Sequence, residues 1–360
     1  MKMCQAFKLL GYNITLLTPG KASELLGNNF DLWNHYGIKY KFLIKFIGSV
    51  KSKRIIYKIK ILFYLVFNRS EIVYTRDIFI ALISSVLGNK TIIELHDPGY
   101  SYKRVLCYKL MVFFNKILRV VVISQSLKKL IIKRYYNKKL LNKIVVAHDG
   151  VDLNSFDNIP DKKKLRNKLK INNDISVIGY SGHLYKGRGL ELILDLAFLL
   201  KKQLFLIIGG NDDDIKKYIK KAKELNVNNI QFVGFINNQE LPKYIAACDI
   251  LLMPYQNSVS VSGGGNTVDF MSPLKMFEYM ASKRPIICSD LKVIREVLDN
   301  NNSILCKPND IEEWTIAINK LVKDKNVSKR LAANSYNKVK SYTWDNRVKN
   351  IMLDFKILRN

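Results

Sequence analysis

The sequence predicts an α/β protein built from two doubly wound, Rossmann-like domains. Short runs rich in Ile, Leu, Val, Phe and Tyr alternate with segments of helical spacing along the whole chain, and the cycle runs through twice. The 360 residues are more than one core usually serves, and 48% of them are hydrophobic, enough for two cores. Glycine-rich or polar turns follow several strands, which is where α/β folds bind ligands. The five cysteines (Cys4, Cys107, Cys248, Cys288, Cys306) include no C-x-x-C pair and read as reduced core residues rather than a metal or disulfide framework. No segment reaches the roughly 18 uncharged apolar residues a membrane span needs.

In the first domain, placed at 1–156, residues 1–10 have helical spacing and Gly11 ends that helix. Tyr12–Leu17 reads as a strand. A helix opening an α/β domain lacks the strand that normally precedes it, so about 20 residues, the size of one strand–loop unit, are expected to be missing before Met1. Residues 39–67 mix Lys and Arg with Ile, Phe, Leu and Tyr, and read either as a basic amphipathic helix on an anionic membrane or as a solvated helix with a core-facing stripe. Glu71–Tyr74 and Thr91–Leu95 are strands, the second ending at His96-Asp97-Pro98-Gly99. A histidine there is ordinarily a turn or surface residue. Val120–Ile123 and Lys143–Ala147 follow as strands, with Ser124 capping the helix between them.

Residues 157–173 read as linker plus helix, and a second domain is placed at 170–340. Its first strand, Ser176–Tyr180, runs into a turn holding Gly182, Gly187 and Gly189 with Lys186 and Arg188. This suits a phosphate cradle, though a plain strand–helix turn has the same look. Leu204–Ile208 is a strand, and Asp212-Asp213-Asp214 then open a helix. Capping and helix-dipole pairing explain those acids; a metal site is the competing reading. Ile230–Phe235 and Asp249–Pro254 are strands flanking a helix over Glu240–Cys248. The stretch 263–290 then brings a glycine loop, a helix opened by Ser272-Pro273 with Ser272 as cap, and a buried strand over Ile286–Cys288. A loop entering a helix N-terminus is a ready anion site or an ordinary capped helix. Glu296-Val297 read as a short helix, Asn301–Cys306 as a strand, Asp310–Lys323 as an amphipathic helix capped by Asp310, and 326–341 and 344–358 as the last helices.

The order of residues in SPLKMFEYMASKRPIICSD resembles the donor-site segment of family 4 glycosyltransferases, retaining enzymes of GT-B fold with two domains facing a cleft. EIVYTRD, TIIELHDPGY, HDGVDLNSF and LPKYIAACDILLMPY resemble other segments of that family, so the likeness spans nearly the whole chain. The resemblance implies that helix amides at Ser272, Pro273, Leu274 and Lys275 hold the diphosphate of a nucleotide sugar, with Gly182, His183, Lys186 and Arg188 contributing from the glycine turn. It implies that Phe235 and Ile236 face the nucleobase, that Glu278 holds the ribose, and that His96 meets the transferred sugar; His96 and Glu278 are the implied catalytic residues. The family pattern Glu-x7-Glu departs here, because its first position is Phe270. The sugar contacts therefore fall to Asp269, Phe270 and Met271. It also implies that the last segment, 341–360, packs back on the first domain.

The formal charge is +29, and residues 1–150 carry most of it, with 26 Lys and Arg against 7 Asp and Glu. Such a field favours anionic partners, although Lys is abundant throughout. The expected function is transfer of a sugar from a nucleotide-diphosphate sugar, with retention and without a metal or cofactor, to a lipid-linked or saccharide acceptor in cell-surface polysaccharide synthesis. The expected place is cytoplasmic, peripheral at the inner face of the plasma membrane. A sugar-nucleotide epimerase of the same fold and a non-catalytic remnant or binding protein are the alternatives. Nucleic acid is not an expected partner, since no nucleic-acid motif accompanies the charge.

Overall fold

Residues 1–20, 31–48, 54–68, 70–99, 101–134, 141–260, 265–353 and 355 are described by the structure, a computed structural model. The chain divides into two units, Met1–His148 with Trp344–Asn360, and Asp149–Thr343. The division thus falls a few residues ahead of 156, and the final segment belongs to the first unit.

In the first unit, β1 (Thr15–Pro19) and β2 (Leu43–Ile47) form a parallel pair. β3 (Ile72–Thr75), β4 (Lys90–Leu95), β5 (Ile117–Val122) and β6 (Ile144–Val146) form a second, all-parallel sheet in chain order. Parallel neighbours need a crossover, and the helices Ile78–Val86, Tyr102–Phe114 and Gln125–Arg134 supply them. Asp77 caps the first of these by accepting from the Phe79 and Ile80 amides, and Ser124 caps the last through Leu127. Helix Lys2–Leu9 and helix Trp344–Met352 close one core with Phe7, Ile92, Val121, Val348 and Ile351.

Two expectations change here. The first strand starts at Thr15 rather than Tyr12, because Gly11 and Tyr12 are tied back to the first helix by bonds to Lys8 and Phe7. The stretch 39–67 is not one helix. It holds β2 and then helix Arg54–Phe67, because Leu43–Ile47 alternates inward and outward residues with period two; 49–53 lie outside the described residues.

The second unit is one six-stranded parallel sheet: β7 (Val177–Ser181), β8 (Leu204–Ile208), β9 (Ile230–Gly234), β10 (Ile250–Met253), β11 (Ile286–Ser289) and β12 (Ile304–Cys306). Its spatial order is β12-β11-β10-β7-β8-β9. Successive strand residues feed opposite faces. Leu206, Ile208, Leu251 and Met253 join a core with Met276, Phe277 and Met280, whereas Phe205, Ile207, Ile250 and Leu252 join another with Leu192, Ile193 and Trp314. Near-continuous apolar strands are what a sheet covered on both faces requires. Helix Asp212–Glu224 is capped by Asn211, which accepts from Asp214, and the three aspartates fill its first turn. Asp310 caps helix Ile311–Lys323. Glu296-Val297 lie in consecutive turns rather than a helix, with the Val297 and Leu298 amides sharing the Ile294 carbonyl.

Candidate functional site

Reversal of strand order between β7 and β10 marks the switch point of the second unit, and the crevice outside the carboxyl ends of such strands is where α/β sheets take ligands. Two loops leave from there. The glycine turn follows β7, and Pro254–Ser260 follows β10. They are tied together: the Gln256 amide donates to Gly187 O at 2.9 Å and the Ser260 amide to Lys186 O at 3.1 Å. Gly187 is required for that approach. Its φ is 84°, and a Cβ there would stand 1.8 Å from Ser258 O.

Helix Leu274–Ala281 points its first turn at the same place and is anchored by Tyr279, whose hydroxyl accepts from the Ser181 amide at 2.6 Å. From its second residue the Lys275 side chain reaches inward. Its Nζ lies 3.7 Å from the Tyr180 ring centroid and 5.4 Å from that of Tyr255. A Cβ on Gly182, at φ 128°, would stand 2.9 Å from that Nζ, so the glycine leaves the space the amine fills.

Lys275 is 8% exposed and its Nζ finds no hydrogen-bond partner among the described residues. Burial, and then the Arg188 charge, hold its pKa well below the ordinary lysine value, with Glu278 opposing them. Arg188 donates through Nη1 to the Tyr255 hydroxyl at 3.0 Å, while its buried Nε finds no partner among the described residues. Glu278, one turn beyond Lys275, is half-buried and likewise forms no ion pair with it. Burial pushes the Glu278 carboxyl up to about 7 despite the nearby amine. His183 is exposed and stacks on Tyr185 at 4.8 Å; burial, Arg188 and Lys275 lower its pKa. The result is a recess lined by basic side chains with one carboxyl group, Glu278, at its side and no ion pair among the described residues. A buried charge left without a partner costs several kcal/mol.

In the first unit, His96 stands at the end of β4, and its Nε2 is 2.5 Å from Glu94 Oε1. Glu94 is fully buried and heavily partnered. Arg76 reaches Oε1 at 2.8 Å, Arg347 reaches Oε2 at 3.0 Å, and the Tyr74 hydroxyl donates to Oε2. Arg347 also donates to the Ala147 and His148 carbonyls at 3.3 and 2.9 Å, tying helix Trp344–Met352 to the end of β6.

Residues 161–338 match the family described as glycosyl transferases group 1, and this stretch includes β7, its glycine turn and helix Leu274–Ala281. This stretch of the chain is similar to a group 1 glycosyltransferase domain. An uncharacterized glycosyltransferase of Methanocaldococcus jannaschii, MJ1069, is 30% identical over 253 residues, 69% of this chain and 60% of that protein. The chain thus spans less than two thirds of that relative. The putative teichuronic acid biosynthesis glycosyltransferase TuaH of Bacillus subtilis is 26% identical over 152 residues, 41% of this chain and 35% of TuaH. Among solved structures, Anabaena Alr3699/HepE in complex with UDP-glucose is similar in fold, with a TM-score of 0.71 at 15% identity, covering 94% of this chain and 98% of that one. The two α/β units are those of the GT-B type.

Within residues 161–338, the predicted residues fall as follows. Gly182, His183, Arg188, Lys275 and Glu278 gather around one recess. Lys186 is exposed on the turn. Ser272 does not cap the helix. Its hydroxyl accepts the Asp149 amide at 3.1 Å, and Pro273 occupies the cap position with extended backbone, so the helix starts one residue later, at the exposed Leu274. Pro273 brings no N–H, which leaves fewer amides at this terminus than the sequence suggested. Phe235 is exposed at the carboxyl end of β9, and Ile236 packs against the core. Asp269 is exposed, whereas Phe270 and Met271 are buried in a turn closed on Thr267. Of the glycine loop, Gly263 and Gly264 lie outside the described residues. The sequence did not reveal the aromatic floor formed by Tyr180 and Tyr255, nor Glu94 and its partners. The one signal for Glu94 was a lone acid in an otherwise apolar strand.

Proposed function

We propose that this protein is a retaining glycosyltransferase that moves a sugar from a nucleotide-diphosphate sugar to a lipid-linked or saccharide acceptor, in the synthesis of a cell-surface polysaccharide. One observation carries the reading: a buried amine and a carboxylate, Lys275 and Glu278, stand one turn apart at the switch point without pairing with each other. A nucleotide diphosphate offers what each lacks, phosphate oxygens for the amine and ribose hydroxyls for the carboxylate. As the diphosphate leaves, negative charge grows on it, and fixed cations in a water-poor recess stabilise that charge best. Lys275 and Arg188, with Lys186 and the free amides of helix Leu274–Ala281, take that role, and we assign none of it to a metal. Phe235 supplies a face for the base. His96, oriented by Glu94, hydrogen-bonds the sugar and is not a nucleophile. The name of TuaH supports the polysaccharide setting, and the UDP-glucose bound by HepE supports a nucleotide-sugar donor.

The acceptor reading extends to the membrane. Helix Arg54–Phe67 buries Ile61 and Leu65 yet exposes Ile56, Ile59, Phe63 and Phe67 on its other side, and helix Tyr102–Phe114 exposes Tyr102, Leu106 and Phe113 among lysines. No helix among the described residues is long and apolar enough to cross a membrane. Exposed aromatics between cations suit an interfacial, cytoplasmic-side attachment to anionic lipid.

The test is thermal unfolding with a panel of nucleoside diphosphates and nucleotide sugars. A ligand at about 100 times its dissociation constant adds about 2.7 kcal/mol of stability. A shift for one nucleotide, absent in Glu278→Ala, is the expected result; product analysis with an acceptor then separates transfer from epimerisation. A folded protein that shifts with none of them contradicts the reading.

A further inference from the structure

The groups facing the Lys275 amine come from four elements: Tyr180 from β7, His183 and Arg188 from the glycine turn, Tyr255 from the loop after β10, and Glu278 from its own helix. Tyr180 donates its hydroxyl to His183 O at 2.7 Å, and Tyr255 accepts from Arg188. The one acid in the set, Glu278, forms no ion pair with the amine. The aromatic faces offer a cation modest attraction, and Arg188 repels it. Among the described residues, no carboxylate pairs with an ammonium here.

We propose that Lys275 couples occupancy of the donor site to proton uptake: its amine is neutral in the empty recess, and it takes one proton from solvent as a diphosphate arrives. The resulting ammonium–phosphate pair then holds the ligand, with no covalent bond made or broken. This rests on the reading of the recess as a nucleotide-diphosphate site and adds a property that reading does not require.

The direction of the pH dependence follows. Lys275 has a lower proton affinity in the empty site than in the filled one. Diphosphate affinity therefore falls as pH rises above the empty-site value, by up to tenfold per pH unit. Glu278 acts oppositely, since its carboxylate accepts from ribose hydroxyls more strongly and through both oxygens when ionised, and affinity for a nucleotide falls as pH drops below about 7. The nucleotide profile is bell-shaped, with Glu278 on the acid limb and Lys275 on the basic limb. Inorganic pyrophosphate has no ribose, so its profile lacks the Glu278 contribution.

Calorimetric titration tests this. UDP, GDP, ADP and inorganic pyrophosphate are titrated into the full chain near pH 8, each in two buffers of different protonation enthalpy. The variants are Lys275→Met and His183→Gln, the second because His183 also lies beside the cations. The expected result is uptake of close to one proton per diphosphate in the wild type and in His183→Gln, and no uptake with at least tenfold weaker binding in Lys275→Met. Binding whose heat is the same in both buffers, or a folded Lys275→Met that still takes up the proton, overturns the coupling and leaves the nucleotide reading standing. Pyrophosphate binding with uptake, alongside no binding of any nucleotide, supports the coupling and removes the nucleotide reading. No binding of any probe removes both.

Discussion

Glu94 of the first unit and Glu278 of the second are both carboxylates drawn into the protein, and they respond in opposite ways. Burial would push Glu94 up, but the hydrogen bond with His96 and the charges of Arg347, Arg76 and His96 outweigh it and hold the carboxyl well below the usual range. Glu278 is less deeply buried, faces a single amine outside ion-pair reach, and is pushed up to about 7. The partners, and not the depth, decide the sign. A buried charge surrounded by donors is part of what holds a unit together, whereas one left without partners marks where something else must bind. The largest effect expected from this contrast is on Glu94. Glu94→Gln takes the carboxylate charge away from the buried Arg347 guanidinium, itself 4% exposed, and should destabilise the first unit by about 3–5 kcal/mol. Hydrogen exchange of the β4 and β5 amides reads it out. Unchanged protection there would show that the ion cluster is dispensable.

Glu278→Ala should do the reverse. It removes no hydrogen-bond or ion-pair partner from any side chain among the described residues, so the fold should hold, while nucleotide affinity should fall by about 1–3 kcal/mol, the usual cost of lost hydrogen bonds to a charged group. Titration of the nucleotide that stabilises the wild type gives the number. Wild-type affinity in the variant would detach Glu278 from the ribose.

Acid sharpens the same comparison. A carboxyl with a depressed folded pKa gives stability that is present above the ordinary glutamate value, about 4.3, and is lost as pH falls through the folded value. Glu94 is of that kind. A carboxyl with a raised folded pKa binds its proton more tightly when folded, so between about 7 and about 4.3 the folded state gains stability as pH falls. Glu278 is of that kind. Amide protection should therefore rise in helix Leu274–Ala281 between pH 7.5 and 5, and the Glu94 contribution to β4 should vanish only below that window. In Glu278→Ala the first of these changes should be absent.

The same residues show how much of the molecule is legible in its sequence. Strand–helix alternation exposes the two units, because near-continuous apolar runs such as Leu204–Ile208 have only one home in a sheet covered on both faces. Gly182, Arg188, Lys275 and Glu278 are found by motif order. Their common recess is not, since the floor is made by Tyr180 and Tyr255, which are 75 residues apart in sequence and meet only because β7 and β10 are neighbours. Ser272 misleads because a serine before a proline and a helix has the cap pattern, and only the fold brings Asp149 to its hydroxyl. The Glu94 cluster is invisible for a similar reason. Its deeply buried partner, Arg347, is 253 residues away.

The smallest effect tests the contrast from the side of the cation. An amine buried without an acceptor lowers the stability of the empty protein, because the unfolded chain keeps that lysine charged and solvated while the fold does not. Lys275→Met keeps the unbranched stem against Tyr180, removes the polar end, and fits the cavity beside Gly182. The empty protein should become more stable, by the cost of holding the amine without its proton less the lost contact with the Tyr180 ring. The gain should be larger at pH 6 than at pH 9, since a fold that binds the lysine proton less tightly than the unfolded chain loses more stability as pH falls below the ordinary lysine value. Urea unfolding of the second unit at both pH values measures it. A loss of stability on Lys275→Met would mean that the amine is held by the protein rather than kept for a ligand, and the recess would then belong with the Glu94 cluster as a structural feature.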